Sequence, residues 1–304
     1  MYLRNTVLYF KNKAVEKNIN VERITLLATM HIFSIIGVFI IDNINFKTIF
    51  YHSIIHFLSM LSITGGYHRL WSHRSYCARL PLQIFYIIFG TTASQKSAIL
   101  WAQEHRTHHR CEENEGDPYN INKGFFHAHI AWIYTNKTDK ELLEFNKTDV
   151  EDLHNNPLLR LQNKFYFYLW TLLNVFGNFY ILKLWNETFL NIIFSSIIRI
   201  AYTLNTTWSV NSFAHYYGEK TNRKDIRASD NAFIALLTLG EGWHNYHHSY
   251  PKDYRASRKD DFNVTTSFIN LTKRLGFSYS HHIKGNDEID VNNRFNKEHY
   301  IKLN

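Results

Sequence analysis

Cysteine is nearly absent. Cys77 and Cys111 are the only two among 304 residues, and neither belongs to a C-x-x-C pair or a disulfide framework, which fits a reducing compartment for the aqueous part of the chain. A dense patch of one charge is also missing. The excess of 34 Lys and Arg over 26 Asp and Glu gives a net charge of +8, but the basic residues flank apolar runs and no recognised nucleic-acid motif accompanies them. That excludes nucleic-acid binding as the first reading and favours anionic lipids and substrates. Residues 1–23 hold Arg4, Lys11, Lys13, Lys17 and Arg23 without a compact apolar core, so no cleavable leader is expected and the first apolar run would serve as the membrane signal. No internal repeat is visible.

The mean hydropathy of −0.30 reads as soluble, yet it averages over strong segregation. Four runs, roughly Ile24–Ile41, Ile49–Gly66, Phe165–Trp185 and Thr188–Asn211, approach the ~20 apolar residues that a bilayer-spanning helix needs. The short connectors Asp42–Thr48 and around Asn186 make two hairpins, each entering and leaving on one side. Five basic residues in 1–23 against the lone Lys47 in the first connector place that side in the cytosol. The expected fold is therefore an all-α integral membrane protein of four transmembrane helices under a helical cytosolic cap. Its parts would be a cytosolic segment 1–23, a hairpin 24–66, cap 67–164, a hairpin 165–211, cap 212–280 and a mobile polar tail 281–304. Leu80–Ala98, broken by Gln83, Gly90 and Gln95, reads as an interfacial or cap helix.

Of 18 histidines, eight stand in three clusters: His68 and His73; His105, His108 and His109; His244, His247 and His248. In the second and third clusters the i, i+3, i+4 spacing puts three imidazoles on one helical face, an arrangement suited to metal ligation. Imidazole takes iron, zinc and copper alike. The five-residue step from His68 to His73 does not share an α-helical face, so the second membrane helix should end or turn between them. Glu104, Glu112 and Asp117 lie near but do not follow the Glu-x-x-His pattern of carboxylate-bridged di-iron bundles. Eight or more imidazoles suggest two metals. Each cluster follows a hydrophobic element, so all three can meet at the membrane surface.

The segments GGYHRLWSHRSY, WAQEHRTHH, DPYN with GFFHAHIAW, NTTWSVNSFAH and GEGWHNYHHSYPKDYRAS, in this order and with four runs between them, resemble the stearoyl-CoA (acyl-CoA Δ9) desaturase family over nearly the whole chain. The resemblance implies a membrane stem under a cap that encloses two iron ions. It adds His215 as a ninth ligand and Asn211 as a water-mediated neighbour of one iron. It further implies O2-dependent removal of two hydrogens from a saturated fatty acyl-CoA to give a cis-Δ9 double bond, at the endoplasmic reticulum membrane. Electrons would come from cytochrome b5 and its reductase, since no fused cytochrome b5 domain is recognisable here.

By the same resemblance Gln95, Trp101 and Thr207 would line the bend of a substrate tunnel, with Met60 and His56 at its far end. Trp101 also shares a helical face with His105. A bulky Met60 would shorten the tunnel and favour palmitoyl over stearoyl chains. At the CoA end this chain reads W-A-Q-E-H where many relatives read W-A-R-D-H, so Gln103 replaces an arginine and Lys96 would supply the charge instead; a second basic pair of relatives is here Asn136-Lys137, with Lys137 as the remaining candidate contact. Arg199, inside the fourth run, is expected to pair with backbone or a buried polar group. Asp225 and Arg255 are candidates to order the third cluster. The rival readings are a histidine-box hydroxylase with the same metals and a non-catalytic zinc protein. Transporters, however, place ionisable ligands near the midplane of the membrane, whereas these clusters lie beyond the runs.

Overall fold

The structure is a computed structural model that describes residues 18–284; Arg4, Lys11, Lys13, Lys17 and His299 lie outside them. Asn20 caps the first helix, α1 (Val21–Ile40), by accepting from the Arg23 amide, which supplies one of the donors a helix start leaves free. Asn45 does the same for α2 (Phe46–Leu61) at the Lys47 amide. Leucine, isoleucine and phenylalanine cover α1 on nearly every side, and Phe39 is 82% exposed, as expected of a helix that meets lipid rather than water.

Past Leu61 the chain does not stop or turn at once. It continues from Ser62 to Ser72 as a π-helix whose residues are all buried. The extension packs on α3 (Leu80–Thr92). Contact is close because glycines meet aromatic rings: a Cβ on Gly66 would lie 2.6 Å from Tyr86 Cγ, and one on Gly90 would lie 2.3 Å from Tyr67 Cε1. The stretch expected to be helical as far as Ala98 ends at Thr92. Residues Ser94 and Lys96 then take positive φ of 63° and 73°, a turn that lets Ser97 cap α4 (Ala98–Arg110).

Beyond α4, a capping box between Thr138 and Glu141 opens α5 (Asp139–Lys147). Pro157 stands in the first turn of α6 (Pro157–Lys164), and a 76° bend separates it from α7 (Tyr166–Lys183). Thr188 caps α8 (Phe189–Tyr216), 28 residues long. At 1.5 Å per residue this helix spans about 42 Å, more than the ~30 Å of a hydrocarbon core. The apolar run ends near Asn211, but the helix runs on through His215, so the boundary expected at residue 211 falls inside one continuous element.

By length and composition, α1 and α8 can each cross a membrane, and α6 with α7 would make a third span if the bent pair counts as one. Between the helices, Arg199 donates to the Thr92 carbonyl at 2.6 Å and to Asn174 Oδ1 at 2.5 Å, the backbone and polar partners expected of it. Further along the chain come α9 (His244–Ser249) and α10 (Val264–Arg274), with short helices such as Glu151–His154 and Ala232–Leu237 besides. The only sheet among the described residues pairs Cys77–Ala78 with Ser278–Tyr279. It fastens the start of the segment expected to be a mobile tail. His281 is buried, stacks on Tyr76 with rings parallel at 5.6 Å and bonds Ser278 Oγ, so order extends past residue 280 because an aromatic pocket receives that ring.

Candidate metal centre

Nine buried or half-buried histidines converge into two groups. His68, His73, His105, His109 and His247 form one, and His108, His215, His244 and His248 the other; within each group the ligand atoms lie within 4.8 Å of one another. Two elements deliver both groups by helical register. On α4, His105 and His109 serve the first group and His108 the second. On α9, His247 serves the first, and His244 and His248 the second. Thus each i, i+3, i+4 triplet is split between two centres instead of closing around one.

The π-helix explains the five-residue step. Its hydrogen bonds run from residue i+5 to i, and the His73 amide donates to the His68 carbonyl at 3.1 Å. A widened turn therefore brings His68 and His73 together, with ring centroids 4.8 Å apart. The expectation of a break to achieve this gives way to a wider helix that ends only at Ser72.

Three carboxylates stand behind the imidazoles. Glu241 Oε2 is 2.7 Å from His68 Nδ1, Asp117 Oδ1 is 2.9 Å from His108 Nδ1, and Glu112 Oε1 is 2.5 Å from His248 Nδ1. At His68 and His108 the carboxylate hydrogen-bonded at Nδ1 fixes the tautomer, with the proton on Nδ1 and the lone pair of Nε2 turned inward, whereas Glu112 meets His248 Nδ1 as a close contact without hydrogen-bond geometry. Burial would raise the Glu241 carboxyl, but Arg69 and His68 hold it down at about 2, so it stays an acceptor. Arg69 is itself buried, bonding Glu241, the Tyr254 carbonyl and Thr266. Asp225 and Arg255 touch no histidine of either group. Asp225 reaches them only through Arg223 and Glu112, and Arg255 clamps Asp253 beside Tyr246. Asp117 and Glu112 were visible near the second cluster; Glu241 was missed, and its one signal was an acid three residues before His244.

Inward, Nε2 atoms face each other at 3.0 Å between His68 and His247, 2.8 Å between His73 and His105, 2.9 Å between His244 and His215, and 3.0 Å between His248 and His244. Lone pairs aimed at one another at this range repel unless a cation lies among them. Donors at ~2.1 Å from a metal and at right angles to each other stand about 3 Å apart, so the donor set fits a metal ion in each group. Burial first, and the neighbouring imidazoles after it, push His73, His105, His109, His244, His247 and His248 well below the usual histidine range. All six are thus neutral and free to ligate near pH 7.

A cavity opens beside both groups, lined by His68, His105 and His244 together with Met60, Gln95, Lys96, Trp101, Thr207 and Asn211. A hydrogen-bonded wall runs down one side: Trp101 Nε1 donates to Gln95 Oε1 at 3.1 Å and Gln95 Nε2 donates to Thr207 Oγ1 at 2.7 Å, while Thr207 Oγ1 lies 3.4 Å from Met60 Sδ. Asn211 precedes His215 by one turn and stands in the cavity wall. Two of the expected substrate residues lie elsewhere. His56 faces a separate groove, where it bonds Thr203 and packs on Tyr202. Lys137 is absent from the lining; it joins Lys96 on the buried Glu104, at 3.2 Å and 2.8 Å. Burial would raise Glu104, but the two ammonium groups hold it below its ordinary value. Gln103 bonds the Phe145 carbonyl instead of facing the cavity.

Comparison with known proteins gives a concordant picture. The family model described as fatty acid desaturase matches residues 48–256. The chain is similar to stearoyl-CoA desaturase of Homo sapiens, 39% identical over 266 residues that cover 84% of this chain and 72% of that protein. It is 37% identical to stearoyl-CoA desaturase 5 of Homo sapiens, over 86% of this chain and 80% of that one. It is also 35% identical to an acyl-CoA Delta(11) desaturase of Spodoptera littoralis, over 83% of this chain and 76% of that one.

Proposed function

The chain belongs to the fatty acid desaturase family, and from that premise we propose that it desaturates a saturated fatty acyl-CoA, palmitoyl or stearoyl, to the cis-Δ9 product. The observation that carries the reading is the single cavity whose wall includes ligands of both histidine groups and whose other wall is the Trp101, Gln95, Thr207 and Met60 series. An alkyl chain offers no polar handle, so only shape can choose which carbons meet the metals. Two iron ions are proposed for the two groups; with O2 they would supply the oxidant for unactivated C–H bonds.

The protein's own residues bind and position. Trp101, stacked on His105 at 5.0 Å, would press the chain toward the metals, and the bond from Gln95 to Thr207 would hold the bend. Met60, 1% exposed, would stop the methyl end, which supports a palmitoyl preference. Lys96 and Lys137, sharing Glu104, would offer residual positive charge to the CoA phosphates. The Δ9 position rests on the motif resemblance alone, since a relative of similar identity is named for Δ11. Cytochrome b5 and its reductase are proposed as electron donors. The proposed setting is the endoplasmic reticulum membrane, crossed four times, with both termini and the cap in the cytosol; the length of α8 and the apolar surface of α1 support it.

Expression in yeast lacking its own Δ9 desaturase, with analysis of double-bond position, tests this. Growth without added unsaturated fatty acid and new Δ9 C16 or C18 acids are expected. Hydroxylated acids would favour the hydroxylase reading, and Δ11 acids would move the bond assignment.

A further inference from the structure

Reductive activation of O2 requires electrons to cross from solvent to a centre whose ligands are buried, so one outer contact must lead inward. Of the three carboxylates behind the histidines, Asp117 and Glu241 have side chains only 1% and 7% exposed and end inside the protein. Glu112 differs: its Oε2 accepts from Arg223 Nη1 at 3.0 Å, and the Arg223 side chain is 40% exposed. The path Arg223, Glu112, His248 therefore joins the surface to one metal group through two short polar contacts.

The loop that carries Arg223 is stitched to the ligand helix. Asn245, fully buried between His244 and His247 in α9, accepts from the Asn222 and Arg223 amides and donates to the Arg223 and Ala228 carbonyls. Residues 219–228 hold four cations, Lys220, Arg223, Lys224 and Arg227, against Glu219 and Asp225. Lys220, Lys224 and Arg227 are exposed, and among the described residues no carboxylate side chain pairs with any of them.

We infer that the loop 219–228 is the docking surface for an acidic one-electron carrier protein, and that electrons enter through Arg223, Glu112 and His248. This rests on the desaturase reading. Its balance is –CH2–CH2– plus O2, two electrons and two protons giving –CH=CH– and two waters; the substrate and two reduced carriers are oxidised and O2 is reduced. Charge complementarity of this kind acts mainly on the association rate and is screened by salt.

The test uses the full chain, iron-loaded in neutral detergent, with palmitoyl-CoA and O2. The probe is the prereduced soluble haem domain of cytochrome b5, with dithionite as a small reductant for comparison. The triple variant Lys220→Glu, Lys224→Glu, Arg227→Glu should slow haem reoxidation at limiting carrier by on the order of tenfold at low salt. The gap should close at high salt, and dithionite-driven product should match wild type. Arg223→Gln should lower the limiting rate at saturating carrier, a loss that added carrier does not restore, with a smaller rise in the carrier's apparent Kd than the triple variant shows. Unaltered carrier rates, or an equal loss with dithionite, would overturn the inference. A defect seen only in anionic bilayers and absent in neutral detergent would assign the loop to the lipid surface and overturn it too. No desaturated product from wild type with either reductant would instead overturn the reading on which it rests.

Discussion

The two histidine groups share α4 and α9 but are completed and supported differently. The five-histidine group depends on the π-helix, which alone can bring His68 and His73 to one side, and on the sealed Arg69–Glu241 pair behind His68. The four-histidine group draws His108, His244 and His248 from ordinary α-helical register, takes His215 from the end of the long α8, and is backed by Asp117 and by Glu112, which reaches the surface. One group is backed by the buried Arg69–Glu241 pair, and the other by Glu112, whose partner Arg223 is exposed on a loop.

Removing a ligand should break the comparison most severely. His73→Ala and His215→Ala should each lower product formation by at least ~100-fold, since the carboxylates that merely orient such ligands are already worth about 10–100-fold. Metal analysis should show that each variant loses the ion of its own group first. Next come those orienting carboxylates. Glu241→Gln should weaken the five-histidine group and Asp117→Asn the four-histidine group, each by about 10–100-fold in chelator competition.

The separation of the two groups was partly legible from residues alone. Clustering found eight of the nine histidines, six of them at the i, i+3, i+4 spacing that converges on any α-helix, although it could not say that each triplet divides between two groups. His215 stood alone and entered only through the resemblance; its position depends on α8 continuing past its apolar run. The π-helix left no periodic signal in SITGGYHRLWS; the close approach of Tyr86 to Gly65 and Gly66 that accompanies it is a contact made across the fold. Neither His56 nor Lys137 lines the cavity: His56 bonds Thr203 on a separate groove, and Lys137 is held beside Lys96 on Glu104. Of the four apolar runs, the first and fourth coincide with helices long and apolar enough to cross a membrane and the third falls in the bent pair, while helix ends follow their capping residues.

Acid should act on both groups at once. The six imidazoles with depressed values bind protons less readily in the folded, metal-free protein than in the unfolded chain, whose histidines titrate near 6.5. The stability they contribute is present above that value and is lost as pH falls below it. Thermal unfolding of metal-free protein should therefore show Tm falling steadily from pH 7 to pH 5, and the holoprotein should release metal over the same range.

Smaller effects sharpen the comparison. Gly66→Ala forces a methyl against Tyr86 and should cost about 1–3 kcal/mol. Because the strain falls on the π-helix, chelator competition should show the five-histidine group weakened more than the other. Met60→Ala should leave both metals in place and shift the product ratio from C16 toward C18, by an amount on the order of 0.8 kcal/mol per added methylene, read by competition between palmitoyl-CoA and stearoyl-CoA.

The most direct measurement is the metal content of the purified protein alongside the His73→Ala and His215→Ala variants, by elemental analysis and Mössbauer spectroscopy after loading with 57Fe. The account predicts two irons per chain in wild type, and in each variant about one, with the surviving spectrum differing between the two. A wild type that binds a single iron, or two variants that lose the same site, would contradict it.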